Sequence, residues 1–289
     1  MNSTGNTCAK LFQTGSLKWN LKDATAIWEP NGCSLQYRSI NEAKQCMNDL
    51  TDKTSKVPFL LFVGDSRIQQ LRDGLILTLT GHDYDVRAGR QSVLNSTSYS
   101  QLGADENIYK SSGIQIKFEW QPYLDNGFGP MSSFLKNVSK LQFRPNMLVI
   151  GAGVWSIKDC QVNNKNQDAC VQNYKEQFKA IHPLLEEMAT TTDVIWTPQC
   201  AISEKVLSYN NKDLGFTNRN MHLYNDVVRQ VLMDAKRSGE SKVIFWESAW
   251  EANYLSGQWT PNWYGYSERW TAYQDGERSC RTVDSFSGQ

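Results

Sequence analysis

Beyond residue 57 the chain alternates short apolar runs with stretches of helical periodicity. Pro58–Val63 is an apolar run of strand length closed by Gly64, which predicts a buried strand. From Ser66 onward Ile68, Leu71, Leu75 and Leu79 recur at three- to four-residue intervals and predict a helix. Residues 81–113 are polar and rich in Ser and Gly and read as loop. Ile114–Trp120 alternates as a half-buried strand does, and Gln121–Gln142 shows no clear period. Met147–Ile150 predicts a second buried strand that runs into Gly151-Ala-Gly153. Tyr174, Phe178, Ile181, Leu185 and Met188 share one helical face, Val194–Thr197 reads as a third buried strand, and Tyr224, Val227, Val228, Val231, Leu232 and Ala235 form a further apolar stripe that stops at Gly239. Val243–Trp246 is the last strand.

Strands alternating with helices predict an α/β fold, a mostly parallel central sheet with helices on both faces. Ligands of such sheets sit beyond the carboxyl ends of the strands. Gly64–Arg67, Gly151–Trp155, Pro198–Cys200 and Glu247–Trp250 all fall at such ends. Residues 1–55 lack this order and read as a loop-rich, cysteine-stapled extension with a tight turn at Trp28–Cys33, so the division is 1–55 and 56–289. The apolar fraction of 40% is enough for a core.

Charge narrows the function. Thirty basic and thirty acidic residues give no net charge, which argues against a nucleic-acid partner. No apolar run reaches spanning length, and Met1–Thr7 lacks a signal-peptide core, so if the domain is exported its targeting segment lies outside these residues. The seven cysteines include no C-x-x-C pair. Cys160 and Cys170 are spaced to close a short disulfide, and Cys8, Cys33 and Cys46 crowd the extension. With sequons at Asn2, Asn95 and Asn137, they favour an oxidising, glycosylating compartment. No metal-ligand cluster or Gly-rich phosphate loop is evident, so no bound cofactor is expected.

The chemistry centres on Gly64-Asp65-Ser66-Arg67, at a strand-to-helix junction. Gly64 permits the sharp turn. Ser66 then sits at a helix N-terminus, where unpaired N–H groups favour developing negative charge. That placement suits a serine nucleophile whose own N–H helps bind an oxyanion. The same tripeptide is also a good turn and N-cap. Arg67 either holds an anionic substrate or braces the loop. Gly151 and Gly153 offer permissive backbone for an oxyanion donor, and Trp155 is either a substrate wall or a core aromatic. The Trp- and Tyr-rich region Trp250–Tyr273 either stacks on sugar rings or buries itself. A serine nucleophile needs a base, usually His held by a carboxylate. His82 lies in a turn, His182 within a helix before Pro183, and His222 opposite an apolar stripe. Each reads as surface or structural, His222 being the least implausible base.

Several segments in order, Ile27–Cys33, Ala43–Cys46, Phe62–Leu71 (FVGDSRIQQL), Gly151–Lys158 (GAGVWSIK), Ile181–Ala189, Asp193–Trp196 and Tyr224-Asn225, resemble the lumenal SGNH/GDSL-like domain of animal sialate O-acetyltransferases. The resemblance spans about residues 8–248. It implies an SGNH-hydrolase-like three-layer fold and acetyl transfer through Ser66 to a sialic acid or other sugar hydroxyl. It also implies acetyl-CoA as the ultimate donor, a membrane-embedded acetyl-transfer partner domain, and a Golgi-lumenal or secreted location. Gly64, Asp65, Arg67, Gly151, Gly153 and Trp155 would form the oxyanion and substrate surface. In that family the base comes from a C-terminal Asp-Gly-x-His. The nearest match here is Asp275-Gly-Glu-Arg278. Asp275 fits the orienting carboxylate, but arginine does not act as a base near neutral pH. A fragment, a divergent relative with a lost or relocated base, and a misplaced alignment are the alternatives. A missing base lowers turnover on the order of 10⁴–10⁶-fold, so a sugar O-acetyl esterase and a non-catalytic sugar-binding domain stand beside the transferase.

Overall fold

Gly64 ends the strand about which the strand order reverses. The structure is a computed structural model that describes residues 15–20, 25–31, 41, 42, 45, 48, 49, 57–80, 108–111, 114–125, 130–202, 214–237, 239 and 241–249. Its strands are β1 (Gly15–Asn20), β2 (Thr25–Pro30), β3 (Phe59–Gly64), β4 (Ile108–Ser111), β5 (Ile114–Trp120), β6 (Met147–Gly151), β7 (Asp193–Trp196) and β8 (Ile244–Phe245). Its helices are α1 (Ser66–Thr80), α2 (Met131–Ser139), α3 (Val154–Val162), α4 (Gln167–Met188) and α5 (Asn218–Arg237).

The main sheet has the order β4-β5-β3-β6-β7-β8. Strands β5, β3, β6, β7 and β8 are parallel, and β4 pairs antiparallel with β5 at one edge. From β3 the chain passes first to β5 on one side and then back to β6 on the other. The gap between the carboxyl ends of β3 and β6 is therefore the switch point where open α/β sheets bind ligands. Gly64 pairs with Gly151 there.

Alternation along β3 sends Leu61 and Val63 to one face and Phe62 to the other. Leu61, Val63, Leu148, Ile150 and Trp196 pack against Phe178, Ile181 and Leu185 of α4 and Tyr224 and Val228 of α5. On the opposite face Phe62, Ile116, Phe118 and Val149 pack against Ile68, Ile76 and Leu79 of α1. The result is three layers, with both faces of the parallel strands covered.

Three elements depart from the sequence expectation. Residues 121–142 contain α2, whose Met131, Leu135 and Val138 are buried at i, i+4 and i+7; with only nine residues behind Pro130, its period is too short to stand out. Strand β4 lies within the stretch read as loop, and an edge strand of four residues needs little apolar content. The extension carries an antiparallel hairpin, β1–β2, and β2 runs through Trp28 to Pro30, so the turn falls later than Trp28.

Cys160 and Cys170 form a disulfide joining the end of α3 to the start of α4, and Cys200 is also disulfide-bonded. The Cys160–Cys170 bridge closes a loop separated by 10 residues. Replacing both cysteines with serine is expected to cost about 2–3 kcal/mol, read as a lower urea midpoint.

Candidate active site

The turn after β3 is built on Asp65, and it assigns the capping role. The Asp65 carbonyl accepts from the Ile68 and Gln69 N–H groups, and its Oδ1 accepts from the Arg67 N–H at 3.0 Å. Asp65 is thus the N-cap of α1 and Ser66 its first helical residue. The Arg67 and Ile68 N–H groups are taken up by Asp65, so an acyl oxygen bound to Ser66 Oγ would meet the positive end of the α1 dipole. Ser66 is 6% exposed, in the wall of the switch point.

Arg67 and Asp65, 6% and 1% exposed, form a buried two-pronged ion pair: Nε donates to Oδ1 at 3.0 Å and Nη2 to Oδ2 at 2.8 Å. Arg67 Nη1 donates to the Pro198 carbonyl at 2.8 Å. Of the two roles open to Arg67, these bonds describe bracing, since they tie α1 to the loop after β7. Arg67→Lys keeps the charge but loses the fork, leaving buried acceptors short of donors. The expected cost is about 2 kcal/mol in chemical unfolding.

Three glycines let the backbones meet. A Cβ on Gly64 would lie 2.1 Å from the Gly151 carbonyl oxygen, and one on Gly151 would lie 2.7 Å from the Thr197 carbonyl oxygen. At Gly153, with φ +142°, a Cβ would lie 2.5 Å from Gln199 Nε2. Gly64, Asp65, Ser66, Arg67, Gly151 and Gly153 therefore converge on one end of the sheet, joined there by Pro198 and Gln199.

Trp155, on the first turn of α3, is half-buried. Its ring meets Trp120 and Tyr123 edge-on at 6.1 and 6.2 Å and carries Lys158 Nζ 4.5 Å from its centroid. Tyr123 also lines a cavity of about 400 Å³ with Ser156, Asp159, Asn173, Tyr174 and Gln177. Burial pushes the Tyr174 phenol well above its ordinary range, and burial pushes Tyr224 up to about 12, so both hydroxyls stay protonated at neutral pH. His182 is engaged with Glu186 on α4, and His222 is exposed on α5. His82, Asp275, Arg278 and the Trp250–Tyr273 region lie outside the described residues.

Gln199 and Asn225 are not among the candidate site residues read from the sequence, although Pro198–Cys200 falls at a strand end and Tyr224-Asn225 belongs to the family resemblance. Asn225 is 1% exposed; its Oδ1 accepts from the Gln199 N–H at 2.6 Å, and its Nδ2 donates to the Gln199 carbonyl at 3.0 Å. Asn225 is also a polar residue inside the apolar stripe of α5.

No protein-family model matches the chain. It is 29% identical over 227 residues, 78% of its length, to an N-acetylneuraminate (7)9-O-acetyltransferase of Danio rerio, and it spans about a quarter (25%) of that relative's length. Among solved structures, an alpha/beta hydrolase from the metagenome of Lake Arreo, Spain, is 15% identical with a TM-score of 0.42, covering 81% of this chain and 98% of that one. A catalytic mutant of an acetylxylan esterase from Geobacillus stearothermophilus is 14% identical with a TM-score of 0.36, covering 80% and 92%. The chain has a three-layer α/β fold, and most of its sequence is similar to one part of an N-acetylneuraminate (7)9-O-acetyltransferase.

Proposed function

We propose that this domain performs acetyl transfer through Ser66, with a sugar hydroxyl, sialic acid first among candidates, as acceptor. The observation that carries the reading is the position of Ser66 at the N-terminus of α1, just after Gly64, which pairs with Gly151 at the switch point. The name of the Danio rerio relative supports the acetyl group and the sugar. In the first step Ser66 Oγ attacks the carbonyl of an acetyl thioester or ester, a base takes the hydroxyl proton, and the thiol or alcohol leaves with a proton. In the second step the sugar hydroxyl attacks the acetyl-serine, the O-acetyl sugar departs, and Ser66 regains its proton. The tetrahedral oxyanion of each step would rest on main-chain N–H groups.

Acetyl-CoA is the ultimate donor in this reading, passed on by a membrane-embedded partner domain. The location is the Golgi lumen or outside the cell, consistent with the disulfides. Among the described residues no helix is long and apolar enough to cross a membrane. The cavity beside Tyr174 has the mixture of tyrosine rings, amides and carboxylate that hydroxyl-rich ligands use, and it is where the acceptor would extend. Asp275 is the orienting carboxylate in this reading.

The test is incubation of the full-length protein with acetyl-CoA or an activated acetyl ester, followed by peptide mass spectrometry. A gain of ~42 Da, one acetyl group, on the Ser66 peptide is expected. Absence of the adduct with every donor overturns the reading. Product analysis with and without sialylated acceptor separates a transferase from a sugar O-acetyl esterase, which shares the acyl-serine step. Arg278, where the resemblance implies His, favours a second reading, a sugar-binding domain without turnover. In that case no adduct forms and Ser66→Ala leaves glycan affinity unchanged.

A further inference from the structure

We infer that Gln199 is a positioning residue: its carboxamide, with the Tyr174 hydroxyl, turns the Ala152–Gly153 peptide so that the Gly153 N–H faces Ser66 as an oxyanion donor. The inference rests on the acyl-serine reading and adds to it the residues that aim the donor.

The Ala152 carbonyl accepts two short hydrogen bonds, from Tyr174 Oη at 2.6 Å and from Gln199 Nε2 at 2.6 Å. Both donors come from one side of the sheet. Tyr174 belongs to α4, and Gln199 is clamped by Asn225 of α5. The described peptide bonds are all trans, so the carbonyl of Ala152 and the N–H of Gly153 point in opposite directions. Holding the carbonyl toward α4 and α5 turns the N–H toward the layer of α1, which begins with Ser66. Among the described residues that N–H donates to no backbone or side-chain acceptor. A buried N–H without an acceptor, turned toward the layer that begins with Ser66, is what an oxyanion requires.

Gln199 is built for one orientation. It is 1% exposed, and its main-chain N–H and carbonyl are both bonded to the Asn225 side chain. The preceding Pro198 carbonyl is held by Arg67. A flipped carboxamide would set Oε1 against the Ala152 oxygen, so Nε2 is the end that faces it. Gly153 and Gln199 also require each other, because the amide fills the space a side chain at 153 would need. Gln199 Oε1, although buried, has no hydrogen-bond partner among the described residues. A glutamine retained only to satisfy the interior would use both ends; here only the end that aims the peptide is used.

Two variants test this in the full-length protein. Gln199→Met keeps the shape without the donor, and Tyr174→Phe removes the other donor to the same oxygen. Each is expected to slow Ser66 acetylation by about 10- to 100-fold, less than the loss of a direct oxyanion donor, with the donor's KM unchanged. Because both act on one carbonyl, their effects are expected to be non-additive in the double variant. The backbone amide resonance of Gly153 in ¹⁵N-labelled protein is expected to shift in each variant that folds, whether or not the protein turns over. An unchanged Gly153 resonance in a folded variant overturns the inference, as does an unchanged acetylation rate in both variants. A wild-type protein that forms no adduct refutes the acyl-serine reading, and the Gly153 resonance still decides whether Gln199 and Tyr174 aim the peptide.

Discussion

Ser66→Ala is expected to abolish the acetyl adduct and to lower acetyl transfer by about 10⁴-fold or more, while the domain stays folded. The two halves of that expectation have different origins. The kinetic loss would follow, on the acyl-serine reading, from removing the atom that bonds the acetyl carbon, which no oxyanion donor replaces. The structural tolerance follows from the division of labour in the turn. Asp65 caps α1, and Asp65 and Arg67 hold the helix to the loop after β7. A helix whose cap lies one residue earlier loses little when its first helical residue changes to alanine, a strong helix former. The expected change in unfolding free energy is about 1 kcal/mol or less. Acetylation rates and urea midpoints on the same preparations check both halves. Transfer that persists in Ser66→Ala would move the nucleophile elsewhere. Loss of the fold would mean that residue 66 is held for packing, and the motif would then report ancestry alone.

Local pattern was enough to find the parts of the sheet that carry this site. β3, β6 and β7 are short apolar runs, because strands covered on both faces need apolar residues at successive positions. The buried face of α4 was legible for a similar reason: Tyr174, Phe178, Ile181, Leu185 and Met188 sit at helical spacing, and all five are buried. The strand-to-helix junction at Gly64–Ser66 could be located from the change of period alone. What the residues left open was partnership across the chain. Arg67 reads equally well as a ligand or as a brace until Pro198, 131 residues away, supplies a carbonyl. Gln199 and Asn225 read as ordinary polar residues, since their bonds to Ala152 and to each other span 47 and 26 residues. Short elements such as β4 and α2 also escape, because four or nine residues hold too few repeats for a period to show.

Gly64 carries the heaviest structural demand in the site, and Gly64→Ala is expected to cost about 3–5 kcal/mol. Two effects add at this position. The backbone has φ +154°, where a side chain is strained, and the new Cβ would lie 2.1 Å from the Gly151 carbonyl oxygen and 2.6 Å from Ile68 Cγ1. Neither neighbour yields readily: Ile68 is fully buried and β-branched on α1, and the Gly151 carbonyl belongs to the strand paired with β3. Relief therefore requires β3 and β6 to separate at the switch point, which also withdraws Ser66 from Gly153. Gly239 serves as the control. It too has a positive φ, +78°, but nothing lies within 4 Å of where its Cβ would be. Gly239→Ala should show the backbone strain with no collision, about 1 kcal/mol. The difference between the two urea midpoints at equal slope thus measures the contact between the strands. A Gly64→Ala loss no greater than that of Gly239→Ala would mean that the strands yield easily, and the close approach of β3 to β6 would then not hold Ser66 in place. A domain with a total stability of about 5–15 kcal/mol has little margin against the expected loss, so glycine at this position is required by the fold before it is required by any chemistry.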